Sequence, residues 1–171
     1  GDEFAQNKII QFTNPKRGYK FATITWAGFI GAASGMNDQG ITVTINAAKS
    51  SIPTDAATPI ALLAREIIQF SKNINDAVEI AKKRDVFVSE SILIGSANDN
   101  KAIIIEKTPD GMDVYDAGTN EILCSNHYQG KKFALEYTNL KNQIESSSLY
   151  RKVRLKQLMQ NHKQINYLEA A

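Results

Sequence analysis

The stretch that decides the fold is GFIGAASGMNDQGITVTINAAKS, which runs from Gly28 to Ser50. Its second half alternates β-branched apolar residues with polar ones from Ile41 to Asn46, which predicts a strand with one face on a core. Asn46 ends the polar side of this strand. The glycines of the first half match neither a phosphate-binding loop nor a dinucleotide fingerprint. The stretch therefore indicates a sheet segment rather than a nucleotide site.

Similar patterns on either side of this stretch predict further strands and helices. Thr58 is a candidate N-cap with Pro59 at the first helical position. Asn73 followed by Asp76 resembles a capping box, so two helices are predicted as an antiparallel hairpin. Another helix is predicted after the serines at 146–148. Strands are predicted over Lys8–Thr13, Tyr19–Trp26, Ser91–Ala97, Ala102–Lys107, Met112–Asp116 and Glu121–Asn126.

The order of strands, helix pair, strands and helix predicts an α+β domain that spans residues 1–171. A formal net charge of +2 disfavours a dedicated nucleic-acid surface, and no apolar run approaches the ~18 residues that span a bilayer. The single cysteine, Cys124, excludes an internal disulfide. His127 and His162 lie far apart in sequence, so neither a metal site nor a cofactor is expected.

Asn46 and Asn126 are the polar residues that chemistry could use. An Asn side chain at a strand end can donate to a developing oxyanion or can simply begin a turn. Asn126 is either a turn residue or a second polar anchor at the edge of the sheet. Cys124 and His127 would point to opposite faces of the predicted strand and therefore form no pair, so Cys124 is predicted to be a small buried hydrophobe.

Arg151 shares a predicted helix face with Leu155 and Leu158. An Arg in this position can clamp a carboxylate or orient a neighbouring group. Alternatively, it is a side chain that snorkels at the edge of a packed face.

Several separate blocks of the sequence resemble the choloylglycine hydrolase and penicillin V acylase superfamily, and most closely its acyl-CoA:6-aminopenicillanate acyltransferase-like branch. The blocks are WAGFIGAASGMNDQGITVTINA, TPIALLAREIIQ, VSESILIGSA, AIIIEKTP, LCSNHYQ and SSSLYRKVR, in that order. This resemblance implies an αββα sandwich of N-terminal-nucleophile (Ntn) type, with two sheets between helical layers.

In that family the nucleophile is an N-terminal Cys whose own α-amino group is the general base, and an Arg and an Asp follow in a GRNxD-like motif. None of these occurs here, and GDEFAQNK at the start resembles the segment just after that motif. The resemblance therefore implies an incomplete Ntn domain that lacks the nucleophile strand and the strands after Arg151. It also implies roles for three residues. Asn46 matches the first oxyanion-hole Asn, Asn126 the second polar position beside the nucleophile, and Arg151 the Arg that orders the site.

The function expected from the resemblance is that of the central portion of a cysteine Ntn amidohydrolase or acyltransferase. Its substrate would be a small linear acyl amide, and the chain alone would be inactive. The alternatives are a non-catalytic Ntn-like scaffold or binding domain, or one subunit of a self-cleaved hydrolase. Self-association, or binding of a completing chain, is expected at an open strand edge formed by Tyr19–Trp26 or Glu121–Asn126.

Overall fold

The computed structural model describes residues 6–49, 56–119 and 121–160. Within these residues, seven strands form one antiparallel sheet in which each strand pairs with the next along the chain. The helices are α1 (Ile60–Phe70), α2 (Ile74–Lys82), α3 (Tyr137–Glu145) and α4 (Ser148–Gln160). The strands are β1 (Lys8–Thr13), β2 (Phe21–Trp26), β3 (Ser34–Asn37), β4 (Ile41–Ala47), β5 (Glu90–Ser96), β6 (Lys101–Thr108) and β7 (Gly111–Tyr115). The predicted α+β class is confirmed.

Helices α1 and α2 cover one face of the sheet, which we call the helical face. Ile41 and Val43 are buried there and Ile45 is partly buried against the same core, as the alternation predicted. Because burying one such side chain contributes about 1.5–3 kcal/mol, this layer dominates the stability of the fold. Other members of the core are Leu63, Ala64, Ile67, Ile68, Ile92, Ile94, Ile103 and Ile105.

The starts of α1 and α2 differ in how well they were predicted. The Asn73 side chain accepts a hydrogen bond from the backbone N–H of Asp76 at 2.8 Å, so the predicted cap of α2 is confirmed. The predicted cap of α1 is wrong by one residue. Pro59 itself occupies the N-cap position, and Thr58 pairs with Val86 in an isolated parallel bridge. That bridge holds Thr58 in extended conformation and keeps it out of the helix.

Strand β3 was not predicted, because glycine and methionine interrupt any alternation there. Its last residue, Asn37, joins the sheet to α1. The Asn37 amide donates to the carbonyl oxygens of Ile68 and Ser71 at 2.8 and 2.7 Å. Its Oδ1 accepts from the backbone N–H groups of Gln39 and Ile41 at 3.0 and 2.9 Å. One buried side chain thus shapes the β3–β4 turn and binds the end of α1.

The prediction of a strand over Glu121–Asn126 is wrong, and helix α3 was not predicted. The apolar ILC sequence resembles a buried strand, but no strand pairing exists between β7 and α3 in the part of the chain that the structure describes. The backbone there binds side chains instead: the Leu123 carbonyl accepts from Gln129 Nε2 at 2.8 Å. We call residues 123–132 the covering segment, because they lie on the face of the sheet opposite the helices.

Among the described strands, the edges of the sheet are β1 and β7, so the prediction that Tyr19–Trp26 forms an open edge is also wrong. Strand β2 pairs with β1 on one side and with β3 on the other. On the face opposite the helices, the β1–β3 half carries apolar side chains that remain exposed. We call this set the open apolar face, and it consists of Ile10, Phe12, Ile24 and Met36. The described residues thus account for one sheet and one helical layer of the implied sandwich.

Candidate active site

A row of four polar residues crosses the sheet on the face opposite α1 and α2. Asn46 on β4 is paired with Ser91 on β5, Ser91 with Glu106 on β6, and Glu106 with Asp113 on β7. Residues directly opposite each other in a sheet project from the same face. Ser91 and Glu106 are fully buried, and the Ser91 hydroxyl has no hydrogen-bond partner among the described residues. The sheet therefore carries a polar row beneath the covering segment, and Asn46 lies at one end of it.

Asn46 contacts Cys124 on the covering segment. Its Nδ2 donates to Cys124 Sγ at 3.3 Å, on the face predicted for Asn46. Burial raises the pKa of Cys124 to about 12, and the nearby Glu106 carboxyl acts in the same direction. The thiol is therefore protonated at neutral pH. Because the thiolate is the nucleophilic form, this environment disfavours Cys124 as a nucleophile.

Asn126 and Arg151 lie at the end of β4, next to Asn46. Asn126 Nδ2 donates to the carbonyl oxygen of Ala47, the neighbour of Asn46, at 2.8 Å. Arg151 Nη1 donates to Asn126 Oδ1 at 2.9 Å, and Nη2 donates to the Ser146 carbonyl at 3.3 Å. The structure thus brings together the three residues singled out in the sequence. Their catalytic roles stay predictions.

The contact between Arg151 and Asn126 favours an orienting role for Arg151, which stays a prediction. A snorkelling Arg needs a packed apolar face beneath it, but Leu155 and Leu158 on the same helix are exposed by 42% and 43%. Arg151 instead binds the amide oxygen of Asn126. With that oxygen occupied, the amide group has a fixed orientation.

His127 does not pair with Cys124, as predicted. The prediction assumed that Cys124 lies on a strand, and the structure describes no strand there. His127 Nδ1 lies 2.7 Å from Ser148 Oγ, which also accepts from the backbone N–H of Asn126 at 2.8 Å and lies 2.8 Å from Ser125 Oγ. Burial lowers the pKa of His127 to about 4, with Lys152 and Arg151 acting in the same direction. Ser148 is fully buried, so this cluster fixes the backbone at Asn126 and presents no accessible nucleophile.

Glu106 was missed in the sequence, where it follows three isoleucines without alternation. Its carboxylate accepts from the backbone N–H of Gln129 at 2.5 Å through Oε1 and from that of Gly130 at 3.0 Å through Oε2. Burial raises the pKa of Glu106 to about 7, against the opposing effect of these backbone hydrogen bonds. The only available signal was a single charged residue inside an apolar strand, which is expensive to bury without partners.

No group of three or more His, Cys, Asp or Glu side chains could hold a metal ion in the described ranges, and His162 lies outside them. In the same ranges, every helix is too short or too polar to cross a bilayer.

An antiparallel sheet with a helix pair on one face matches part of the Ntn hydrolase fold. Residues 3–170 match the family described as acyl-coenzyme A:6-aminopenicillanic acid acyl-transferase, and the chain belongs to that family.

The relatives found by comparison are longer than this chain. Protein dcd1A of Dictyostelium discoideum is 30% identical over 103 residues, which are 60% of this chain and 23% of that protein. The N-acylethanolamine-hydrolyzing acid amidase ortholog of Caenorhabditis elegans superposes with a TM-score of 0.56 at 15% identity, over 78% of this chain and 62% of its own. A variant of the conjugated bile acid hydrolase of Clostridium perfringens gives 0.49 at 15% identity, over 65% and 43%. The chain thus spans less than two thirds of each relative, and the structural likeness concerns the fold.

Proposed function

We propose that this chain is the central portion of a cysteine Ntn amidohydrolase or acyltransferase that acts on a linear amide. The nucleophilic Cys would lie outside this sequence, and the chain alone would be inactive. Family membership supports the reaction class, because the family is described by an acyl transfer to an amine. The Caenorhabditis elegans neighbour, named for hydrolysis of an N-acylethanolamine, is consistent with an amide substrate.

The observation that carries the proposal is the convergence of Asn46 and Asn126 at the end of β4. When a thiolate attacks an amide carbonyl carbon, negative charge develops on the carbonyl oxygen. Amide N–H groups already aimed at that oxygen stabilise it, and each donor lowers the barrier by about 3 kcal/mol. The Asn46 N–H is held here by a thiol sulfur, a weak acceptor that an oxyanion would readily replace.

The remaining steps conserve atoms and charge. The α-amino group of the nucleophilic Cys takes the thiol proton and later gives it to the leaving nitrogen, as the C–N bond breaks and a thioester forms. A water molecule then hydrolyses the thioester, or an amine takes the acyl group. Arg151 would keep the Asn126 amide turned toward the reacting carbonyl by holding its oxygen. No cofactor or metal enters this scheme.

Partners follow from the same proposal. The substrate is a small acyl amide, and no nucleic acid is involved. The open apolar face at Ile10, Phe12, Ile24 and Met36 would be covered by a completing polypeptide, or by self-association of the isolated chain, since large exposed apolar patches rarely stay bare.

Mass spectrometry of the protein from its natural source tests the proposal. The expected result is an N-terminal Cys followed by the Arg and Asp of the motif, on this polypeptide or on a companion chain. That Cys should be the residue modified by a substoichiometric thiol reagent. A mature protein that begins near Gly1 and has no companion chain would favour the non-catalytic scaffold instead.

A further inference from the structure

We propose that Glu106 is a positioning residue: its ionised carboxylate clamps the backbone at Gln129 and Gly130 and so holds the Asn126 amide against the end of β4. The catalytic meaning of this inference rests on the proposed function, in which Asn126 is an oxyanion donor. The clamp itself is a property of this chain and can be tested without catalysis.

The clamp uses both oxygens of one carboxylate. Oε1 accepts from the Gln129 N–H at 2.5 Å and also from the Gly130 N–H at 3.2 Å, while Oε2 accepts from the Gly130 N–H at 3.0 Å. Charge-assisted hydrogen bonds of this kind are roughly twice as strong as neutral ones. The carboxylate thus fixes the backbone three residues after Asn126.

A second route leads from the clamp to the same amide. The Gln129 side chain donates to the Leu123 carbonyl at 2.8 Å and accepts a hydrogen bond from Lys152 on α4. Arg151, the residue before Lys152, binds Asn126 Oδ1. Gln129 therefore connects Leu123, at the start of the covering segment, to the helix that carries Arg151.

Gly130 shows how closely the backbone approaches the carboxylates. A Cβ atom at Gly130 would lie 2.5 Å from Asp113 Oδ2 and 2.8 Å from Glu106 Oε2, distances that real Cβ contacts do not reach. Asp113 also binds the covering segment directly, since its Oδ2 accepts from the Lys132 N–H at 2.8 Å. Glu106 and Asp113 together thus bind the backbone of the covering segment at Gly130 and Lys132.

The charges around Glu106 make the clamp sensitive to pH. Asp113 on β7 disfavours the carboxylate, whereas Lys152 on α4 favours it, and burial outweighs both, so its pKa is about 7. Cys124 and Tyr128 on the covering segment also feel its charge, but burial raises the pKa of each beyond the neutral range. Protonation of Glu106 turns one oxygen into a hydroxyl and removes the charge, so the hydrogen bonds from the two backbone N–H groups lose their charge assistance.

The test is an NMR titration of the isotopically labelled chain between pH 5.5 and 8.5. The signals to follow are the Asn126 side-chain amide and the backbone amides of Gln129 and Gly130. We expect all three to shift with one midpoint near 7, and this transition to disappear in E106Q. The matched control is Glu90→Gln, which removes the other carboxyl whose pKa burial raises to about 7. Glu90 makes none of the clamp contacts, so this variant should leave the transition unchanged.

A second variant keeps the test decisive if E106Q does not fold. Asp113→Asn removes the like charge, so the midpoint of the Asn126 transition should move to lower pH. The proposal is overturned if the Asn126 amide does not titrate with Gly130, or if its transition survives in E106Q. Loss of the oxyanion role of Asn126 in the complete enzyme would refute the proposed function and leave this result standing.

Discussion

The side-chain amide of Asn46 donates a hydrogen bond to Sγ of Cys124 at 3.3 Å, joining residues that are 78 positions apart in the chain. This contact connects the end of β4 to the covering segment, which also carries Asn126. In this contact the Cys124 sulfur occupies the Asn46 N–H that the proposed reaction needs, and an oxyanion can displace the sulfur. Cys124 therefore contributes a structural contact to the site, and the proposed reaction does not use it as the nucleophile.

The isolated chain should hydrolyse no penicillin V, conjugated bile salt or N-acyl amino acid above background. The partly buried thiol of Cys124, whose pKa is raised to about 12, is nearly all protonated at pH 7.5. Its alkylation by iodoacetamide should be about 10³-fold slower than that of a free thiol. Turnover that disappears in Cys124→Ala would make Cys124 the nucleophile and contradict the proposed function.

The pH dependence of stability should reveal the charge on Glu106. The pKa of Glu106 in the folded chain, about 7, exceeds the ordinary 4.5. Between these two pH values the folded chain therefore binds more protons than the unfolded chain, and its free energy of unfolding falls as pH rises. Glu90 acts in the same direction and His127 in the opposite one, so we compare variants. Relative to the unmodified protein, E106Q should gain up to about 3 kcal/mol in free energy of unfolding from pH 4.5 to 7.5.

Urea unfolding at several pH values measures this difference. The control is Asp116→Asn, whose exposed carboxylate has its pKa lowered by Lys101 and should show no gain over the same range. An E106Q difference that stays constant with pH would show that the carboxyl group is not held in the environment described.

Replacing Asn37 by Ala should cost about 3 kcal/mol, because four backbone groups lose their partner and two of the carbonyls lie at the end of α1. The matched control is Asn98→Ala, whose amide also donates to two carbonyls but is exposed, so its cost should stay below about 1 kcal/mol. Equal losses in thermal or urea unfolding would contradict the anchoring role of Asn37.

Self-association of the isolated chain should depend on the open apolar face. Phe12 on this face is exposed by 83%, and Phe12→Lys should shift the molar mass measured by light scattering toward that of a monomer. Ile144 on α3 is exposed by 81% and is not part of this face, so Ile144→Lys serves as the control. A chain that is already monomeric at high concentration would remove the need for a covering partner.

The sequence predicted the helical face well, because burial there follows local periodicity. The alternation up to Asn46 fixes which side chains meet α1 and α2, and the Asn73 cap depends on residues three apart. The family blocks also identified Asn46, Asn126 and Arg151, which the fold then brings together.

The polar row and the covering segment could not be predicted in the same way. Glu106 and Asp113 acquire their partners from a segment that is distant in the chain, and no local pattern records such a pairing. The ILC stretch has the composition of a strand, but the hydrogen bonds of its backbone go to side chains such as Gln129, which a strand prediction does not consider.

The measurement that tests the central claim most directly is the effect of Asn46→Ala on kcat in the complete enzyme that the proposed function implies. If Asn46 donates to the oxyanion, kcat should fall about 10²–10³-fold with little change in KM. Asn98→Ala should leave both parameters unchanged. A kcat of Asn46→Ala equal to that of the unmodified enzyme would contradict the oxyanion site proposed at the end of β4.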